Sequence, residues 1–167
     1  MNSITPKQFL NTIFPPELLA EDEAVCIAHP AEYNGNSYFK QYVASPQTFQ
    51  TMASQDRGWL YCVSTVDKPP EFGRVKRKKE NLHNAWVLVL DDIGTKVQCD
   101  PPVTPSYMLE TSQGNQQWGY LLEPFPVIHP VNSEYYHACL MALADAGYHD
   151  PGAGSASRCV KLPGALH

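Results

Sequence analysis

A short apolar run that ends in two adjacent acids most constrains how this 167-residue chain can fold. Residues 86–90 read Trp-Val-Leu-Val-Leu, and Asp91, Asp92 and the turn residue Gly94 follow at once. The run is too short for a helix and rich in branched side chains, so it predicts a strand buried on both faces. Carboxylates at the end of such a strand are costly unless they meet water, a basic group or a metal ion. The acids therefore predict either a binding site for hard divalent cations at the end of a rigid strand or a polar turn in which one acid caps the backbone.

Length and composition predict one intracellular domain. A chain of 167 residues is long enough to bury a sizeable core. No apolar run approaches the roughly 18 residues that a membrane-spanning helix needs, and no secretory signal is visible at the amino terminus. The five cysteines are scattered without a Cys-x-x-Cys pair, which predicts reduced thiols and no zinc site.

The charge distribution is uneven. Net charge is −5, but five of the 12 basic residues fall within positions 74–79, which leaves seven against 17 acidic residues elsewhere. We call this basic segment the basic arm; it comprises Arg74, Lys76, Arg77, Lys78 and Lys79. The arm predicts either a solvated loop or a binding site for nucleic-acid phosphates on an otherwise acidic body.

Strand and helix patterns alternate in the first half of the chain, and a hairpin and a helix follow in the second half. Strands are predicted at 24–28, 37–43, 59–64 and 86–90, with helices at 6–14 and from 46. A further helix is predicted to begin after Asn132 or Ser133 and to end at Gly147. This order predicts an α/β or α+β fold.

The predicted hairpin at 106–122 has Gly114-Asn115 as its two-residue tip. In that register Ser112 faces Gln117 across the two strands. Such a pair is a neutral hydrogen-bonding surface, either for a nucleotide or phosphate or for solvent alone.

The tail after the last helix combines an acid, small residues and bases. Asp150 precedes a run of small residues that leads to Arg158 and Lys161. Backbone amides in such a run can approach a polyanion closely, although the same pattern is typical of a loop before an edge strand. The chain has no Gly-Lys-Ser or Gly-Lys-Thr phosphate loop and no zinc-deaminase signature.

The ordered motifs from about Trp86 onward resemble those of phage and plasmid replication primases, the primase-polymerase group of the archaeo-eukaryotic primase superfamily. The matching segments are 88–92, 110–118, Asp150 and 158–164. The resemblance implies an archaeo-eukaryotic-primase-like catalytic core, in which an α/β unit joins an RRM-like sheet. It also implies that residues 1–167 form one catalytic domain, the amino-terminal part of a longer, phage- or plasmid-encoded replication protein in the cytoplasm.

The same resemblance implies a DNA primase or polymerase that works with two Mg²⁺ or Mn²⁺ ions. Its catalytic metal ligands would be Asp91, Asp92 and Asp150. Its nucleotide-binding residues would be Ser112, Asn115, Gln117, Arg158 and Lys161. Its partners would be single-stranded DNA template, nucleoside triphosphates and a helicase domain or subunit, with the basic arm on the DNA.

Two features depart from the family pattern. The acids of the first motif are adjacent rather than separated by one residue, and the histidine that often follows the second-motif serine is replaced by residues such as Gln117. Two alternatives therefore stay open: a DNA-binding replication module without catalysis, and a metal-dependent nuclease.

Overall fold

Seven strands form one antiparallel sheet with three helices against it in the described part of the chain. The structure is a computed structural model that describes residues 4–54, 58–70 and 74–163, so Gly164 of the tail motif lies outside the described residues. The strands are β1 (Glu23–Tyr33), β2 (Asn36–Val43), β3 (Leu60–Asp67), β4 (Leu82–Ile93), β5 (Tyr107–Ser112), β6 (Asn115–Pro126) and β7 (Cys159–Lys161). The helices are α1 (Pro6–Ile13), α2 (Pro46–Ser54) and α3 (Pro130–Asp145). The predicted mixed α/β class is confirmed. None of the described helices is long and apolar enough to cross a membrane.

The strands are longer than the sequence pattern predicted. β4 extends the predicted run in both directions, and its residues 85–87, 89 and 90 are buried. β1 continues through Pro30 to Tyr33 although proline cannot donate to a ladder. The strand tolerates Pro30 because β1 pairs with β3 only as far as Ala28, which leaves β2 as its one neighbour there.

The strands of the sheet follow the order β2-β1-β3-β4-β6-β5, and the short strand β7 also pairs with β3. On the side away from β1, β3 therefore has two neighbours, β4 and β7. Ser64 and Val66 of β3 pair with β4, whereas residues 60–62 pair with β7. β4 therefore leaves β3 after Ala85, and β7 takes its place. The predicted acids lie on the half of β4 that has separated from β3.

Aromatic rings fix the helices to the sheet. α1 begins with a capping box between Thr5 and Gln8. Its Phe9 packs edge-on against Tyr61 of β3 at 5.7 Å between ring centroids. Tyr136 of α3 is buried and donates a hydrogen bond of 2.9 Å to the carbonyl oxygen of Val87. The Tyr136 hydrogen bond joins α3 to β4 four residues before Asp91.

The hairpin has a different register from the predicted one. Its two-residue tip is Gln113-Gly114, so Ser112 lies opposite Asn115, and Gln117 lies opposite Leu109. The prediction that Ser112 faces Gln117 is wrong. Gly114 takes a φ of +75°, which this turn position favours in glycine. An extra residue, Thr111, forms a bulge between Glu110 and Ser112 and shifts the pairing.

Candidate active site

A bulge in β4 places the two adjacent acids. Leu90 pairs with Trp118 and Ile93 with Gln116, so Asp91 and Asp92 together oppose a single residue of β6. Asp92 has a φ of +61°, a left-handed conformation that aspartate tolerates better than most residues. The alternation of a regular strand is broken at this step, and a bulge re-aims the side chains that follow it. The acids can therefore leave the opposite faces that a regular strand would impose.

Asp92 and Asp150 converge on one ammonium group. Nζ of Lys96 lies 2.7 Å from Oδ2 of Asp92 and 2.7 Å from Oδ2 of Asp150. Since both oxygens contact the same atom, they lie no further apart than the sum of the two distances, about 5.4 Å. Two of the three predicted acids thus share one positive charge despite their separation along the chain.

The end of α3 brings Asp150 to this place. Gly147 reverses the chain with a φ of +82°. His149, only 2% exposed, follows, and its Nδ1 accepts the backbone N–H of Asp91 at 3.2 Å. Asp150 then caps the short 3-10 turn Pro151–Ala153 by accepting the N–H of Gly152 at 3.0 Å. His149 therefore ties the segment before the tail to the step of β4 that carries the acids.

Asp91 has a different partner. Its Oδ2 pairs with the guanidinium of Arg158, and its Oδ1 accepts the N–H of Asp92 at 2.9 Å. Both side chains of the Asp91–Arg158 pair are largely buried, at 15% and 21% exposed. The three predicted acids are thus divided between two cations, Arg158 and Lys96.

The donor set around Lys96 fits one divalent ion rather than a three-carboxylate cage. Within residues 4–54, 58–70 and 74–163, no group of three or more His, Cys, Asp and Glu side chains is placed to hold a metal. Asn115 donates from Nδ2 to Oδ1 of Asp92 at 2.8 Å. Its own Oδ1 is buried and makes no hydrogen bond to the described residues. Carboxylate and amide oxygens are the ligands that Mg²⁺ and Mn²⁺ prefer, so Asp92, Asp150 and Asn115 Oδ1 are the donors that fit such an ion.

Lys96 also sets the protonation of its neighbour. The hydrogen bond from Lys96 lowers the pKa of Asp150 to about 2, with a further contribution from the N–H of Gly152. The hydrogen bonds to Asp150 and Asp92 raise the pKa of Lys96. At neutral pH Asp150 is therefore ionised and Lys96 is protonated, so a cation is held between the acids.

A close contact between two turns brings Asn115 to Asp92. Gly94, in the turn after β4, has a φ of +86°. A Cβ at this position would lie 2.6 Å from the carbonyl oxygen of Gly114 at the hairpin tip. Only glycine allows this approach, and it sets the start of β6 beside the acids.

The other predicted nucleotide-binding residues have separate environments. Ser112 is exposed at the hairpin tip, opposite Asn115. Gln117 is 4% exposed, and its Oε1 accepts the backbone N–H of Lys161 at 3.1 Å. Gln117 therefore links β6 to β7 at the position where β4 and β3 have separated.

Arg158 meets one residue of the basic arm at a cavity of about 250 Å³. The guanidinium of Arg77 donates to the carbonyl oxygen of Ser157, and the Arg77 backbone N–H donates to Oε1 of Gln41 at 3.0 Å. The cavity is lined by Phe39, Leu60, Arg77, Gly152, Gly154, Ser155, Arg158 and Cys159. Two guanidinium groups beside a loop of small residues form a setting suited to a phosphate group. The other arm residues, Arg74, Lys76, Lys78 and Lys79, are exposed.

Lys96 and His149 contact the predicted acids, although neither is among the predicted site residues. Lys96 follows the acids by four positions across a glycine turn, a spacing that returns a side chain towards the strand end. His149 is buried, at 2% exposed. Its position beside Asp150 in sequence gave no sign of its bond to Asp91.

Comparison with known proteins shows the fold. The sequence matches no family model and no curated protein. Among solved structures, the chain is similar to the archaeo-eukaryotic primase domain of the primase-polymerase of cyanophage S-2L, with a TM-score of 0.65. The similarity covers 95% of this chain and 80% of that one at 12% sequence identity. Identity this low shows a shared fold and leaves the chemistry to the residues of the site.

Proposed function

We propose that this chain is a template-directed nucleotidyl transferase, a DNA primase or polymerase domain of phage or plasmid replication. The observation that carries the proposal is the convergence of Asp92 and Asp150 on one cation. That cation lies in a site whose neighbouring cavity holds Arg77 and Arg158. Acids for a metal ion next to bases for phosphate are what phosphoryl transfer requires.

Asp92 and Asp150 would hold Mg²⁺ or Mn²⁺ where the structure places the ammonium of Lys96. When bound, such an ion stabilises charge on the reacting oxygens of phosphoryl transfer. Asn115 Oδ1 would supply a neutral oxygen next to Asp92. Asp91 completes the proposed catalytic set by holding Arg158 at the cavity, where the guanidinium would contact phosphate. Lys96 would move from the acids towards the triphosphate, since its side chain is 68% exposed and can turn outward.

The substrate would approach from the cavity side. Arg77 and Arg158 would hold the triphosphate of the incoming nucleotide, with the loop around Gly152 supplying backbone amides. Ser112 at the hairpin tip would contact the nucleotide from the opposite side. Gln117 and Lys161 would act by keeping β6 and β7 at the spacing that the nucleotide needs. The exposed residues of the basic arm would bind the single-stranded template.

Primer synthesis by paired variants tests the proposal. Wild type is expected to extend a labelled primer on single-stranded template with Mg²⁺ or Mn²⁺, and Asp92→Asn and Asp150→Asn are expected to abolish extension. Asp145→Asn, an exposed acid at the end of α3, is the matched control and should extend normally. Circular dichroism spectra identical to wild type would show that the folds are intact. Normal extension by either site variant would contradict the proposed mechanism.

Two observations favour the second candidate, a DNA-binding module without catalysis. The Asp91 carboxylate is paired with Arg158, and the described residues include no group of three metal ligands. Calorimetric titration with Mn²⁺ separates the two candidates, since the module binds DNA but no ion. The labelled primer of the extension assay also detects a nuclease, because a nuclease shortens the strand that a polymerase lengthens.

A further inference from the structure

A groove of about 630 Å³ runs along β2 at the edge of the sheet. β2 is the outermost strand and pairs with β1 alone among the described strands. The groove is lined by residues 38–43 of β2, by Ser45 and Thr48 at the start of α2, and by Arg74 and Val75 of the basic arm. This surface lies outside the site of the three acids, and of its residues only Arg74, as part of the basic arm, has a role in the catalytic proposal above.

Two large aromatic side chains of the groove are exposed. Tyr38 is 46% exposed and Phe39 is 47% exposed. Their neighbour Tyr42 is instead packed against His29 and Trp59, with ring centroids 5.6 and 5.9 Å away. Tyr42 thus contributes to the fold. Neighbouring strand residues point to opposite faces, so Phe39 shares its face with Gln41, which contacts Arg77, whereas Tyr38 lies on the other face.

The groove has two basic residues in its lining, on a chain whose net charge is −5. Arg74 is exposed at its wall, and Lys40 lies on β2 with its Nζ 5.5 Å from the Tyr42 ring centroid. Outside the basic arm, seven basic residues stand against 17 acidic ones. A polyanion is therefore attracted to this edge and repelled from most of the remaining surface.

Phe39 connects the groove to the cavity of about 250 Å³ that contains Arg77 and Arg158. It lines both the 630 Å³ groove and the 250 Å³ cavity that contains Arg77 and Arg158. The hydrogen bond from the Arg77 N–H to Gln41 fixes the basic arm against β2 at this junction. A chain of phosphates and bases could therefore pass from the groove to the acid site without leaving basic and aromatic surface.

We propose that the β2 groove binds single-stranded nucleic acid, with a base stacked on Phe39 and phosphates held by Arg74 and Lys40. Stacking on an aromatic ring tolerates any base sequence, and arginine beside such rings is typical of single-strand binding. The inference rests on the proposed function in one respect: it names the groove as the path of the template towards the acids. The occupant is a single strand, because a duplex keeps its bases stacked on one another and away from Phe39.

The test measures binding of a fluorescein-labelled single-stranded oligonucleotide by fluorescence anisotropy. Phe39→Ala is expected to weaken binding by about 5- to 150-fold, the range for loss of one stacked base. Phe39→Trp should restore binding because it keeps an aromatic face. Arg74→Ala should weaken binding and lower the slope of log affinity against log salt by about one. Tyr135→Ala removes another exposed aromatic residue, 63% exposed on α3, and should bind as wild type does.

Unchanged affinity in Phe39→Ala would overturn the inference, as would an equal loss in Phe39→Ala and Tyr135→Ala. Tighter binding of duplex than of single strand would overturn it too. Primer extension by the same proteins separates this inference from the proposed function. If wild type extends primers while Phe39→Ala binds DNA normally, the groove inference fails and the polymerase proposal stands. If binding depends on Phe39 but no extension occurs, the groove stands and the polymerase proposal fails.

Discussion

Replacing Lys96 with methionine tests whether the two converging acids form a cation site. The substitution keeps most of the side-chain volume and removes the ammonium that contacts Asp92 and Asp150 at 2.7 Å each. In the variant, two carboxylates would lie within about 5.4 Å of each other without that charge, and like charges at this distance repel. A divalent ion relieves the repulsion, and in the variant it no longer competes with a resident lysine. We therefore expect Lys96→Met to bind Mn²⁺ more tightly than wild type.

The expected increase in Mn²⁺ affinity follows from the solvent exposure of Lys96 and its two acidic partners. Lys96 is 68% exposed, whereas the two carboxylates are 17% and 20% exposed. An exposed ion pair changes an equilibrium by a factor between about 1.4 and 5. Two such pairs to one ammonium therefore give an increase in Mn²⁺ affinity between about twofold and thirtyfold.

The assay is isothermal titration with Mn²⁺, supported by melting temperatures in chelator and in saturating Mn²⁺. Lys96→Met should gain more stability from Mn²⁺ than wild type gains because, at a given ion concentration, the stabilisation of the folded state rises with the logarithm of the affinity. Lys7→Met, an exposed lysine on α1, is the matched control and should behave as wild type. Equal or weaker Mn²⁺ binding by Lys96→Met would refute the reasoning, since it would show that the ion and the ammonium do not compete for one place.

Three further predictions concern the contacts that position the acids of the site. Arg158→Leu leaves Asp91, 15% exposed, without its cation, and should lower the free energy of unfolding in urea by about 1–3 kcal/mol; a double variant with Asp91→Asn should recover part of the loss, and strict additivity would contradict the pairing. Gly94→Ala places a Cβ 2.6 Å from a backbone oxygen at a positive φ, and should cost about 1–3 kcal/mol in urea unfolding and slow primer extension; wild-type stability would show that the two turns do not touch. Because the pKa of Asp150 is lowered to about 2 in the folded state, its stabilising effect is complete above the ordinary value near 3.8 and is lost as pH falls towards 2. The stability difference between wild type and Asp150→Asn should therefore shrink over that interval in thermal melts, and a constant difference would contradict the Lys96 contact.

Sequence periodicity was sufficient for the fold where a pattern has one structural solution. The run from Trp86 to Leu90 is short, apolar and branched, and a buried strand is what such a run forms. The last helix ended before Gly147, as predicted from the residue type alone. The length of β1 was underestimated because a proline can continue a strand where that strand has a single neighbour, as β1 does beyond Ala28.

The pairing register of the strands could not be predicted from the sequence. The hairpin tip is Gln113-Gly114 instead of Gly114-Asn115, and the extra residue Thr111 shifts the pairing further along the strands by one more position. A second bulge made Asp91 and Asp92 oppose Gln117 together. Bulges depend on how two strands pack against the rest of the sheet, so the alternation of apolar and polar residues does not predict them.

Resemblance proposed which residues form the site, and it left open which basic residue pairs with each acid. Resemblance supplied Asp91, Asp92 and Asp150, but the choice between Arg158 and Lys96 as partner depends on side-chain directions after a bulge. The basic arm shows the same limit, because Arg74 and Arg77 are alike in sequence. Only the backbone bond to Gln41 and the contact with Ser157 show that Arg77 faces the cavity.

A crystal soaked in Mn²⁺ gives the most direct test of the central claim. The account predicts an anomalous scattering peak between the carboxylates of Asp92 and Asp150, within direct coordination distance of both, with Nζ of Lys96 moved away from them. A peak at another place, or no peak while Lys96 still contacts both acids, would contradict it.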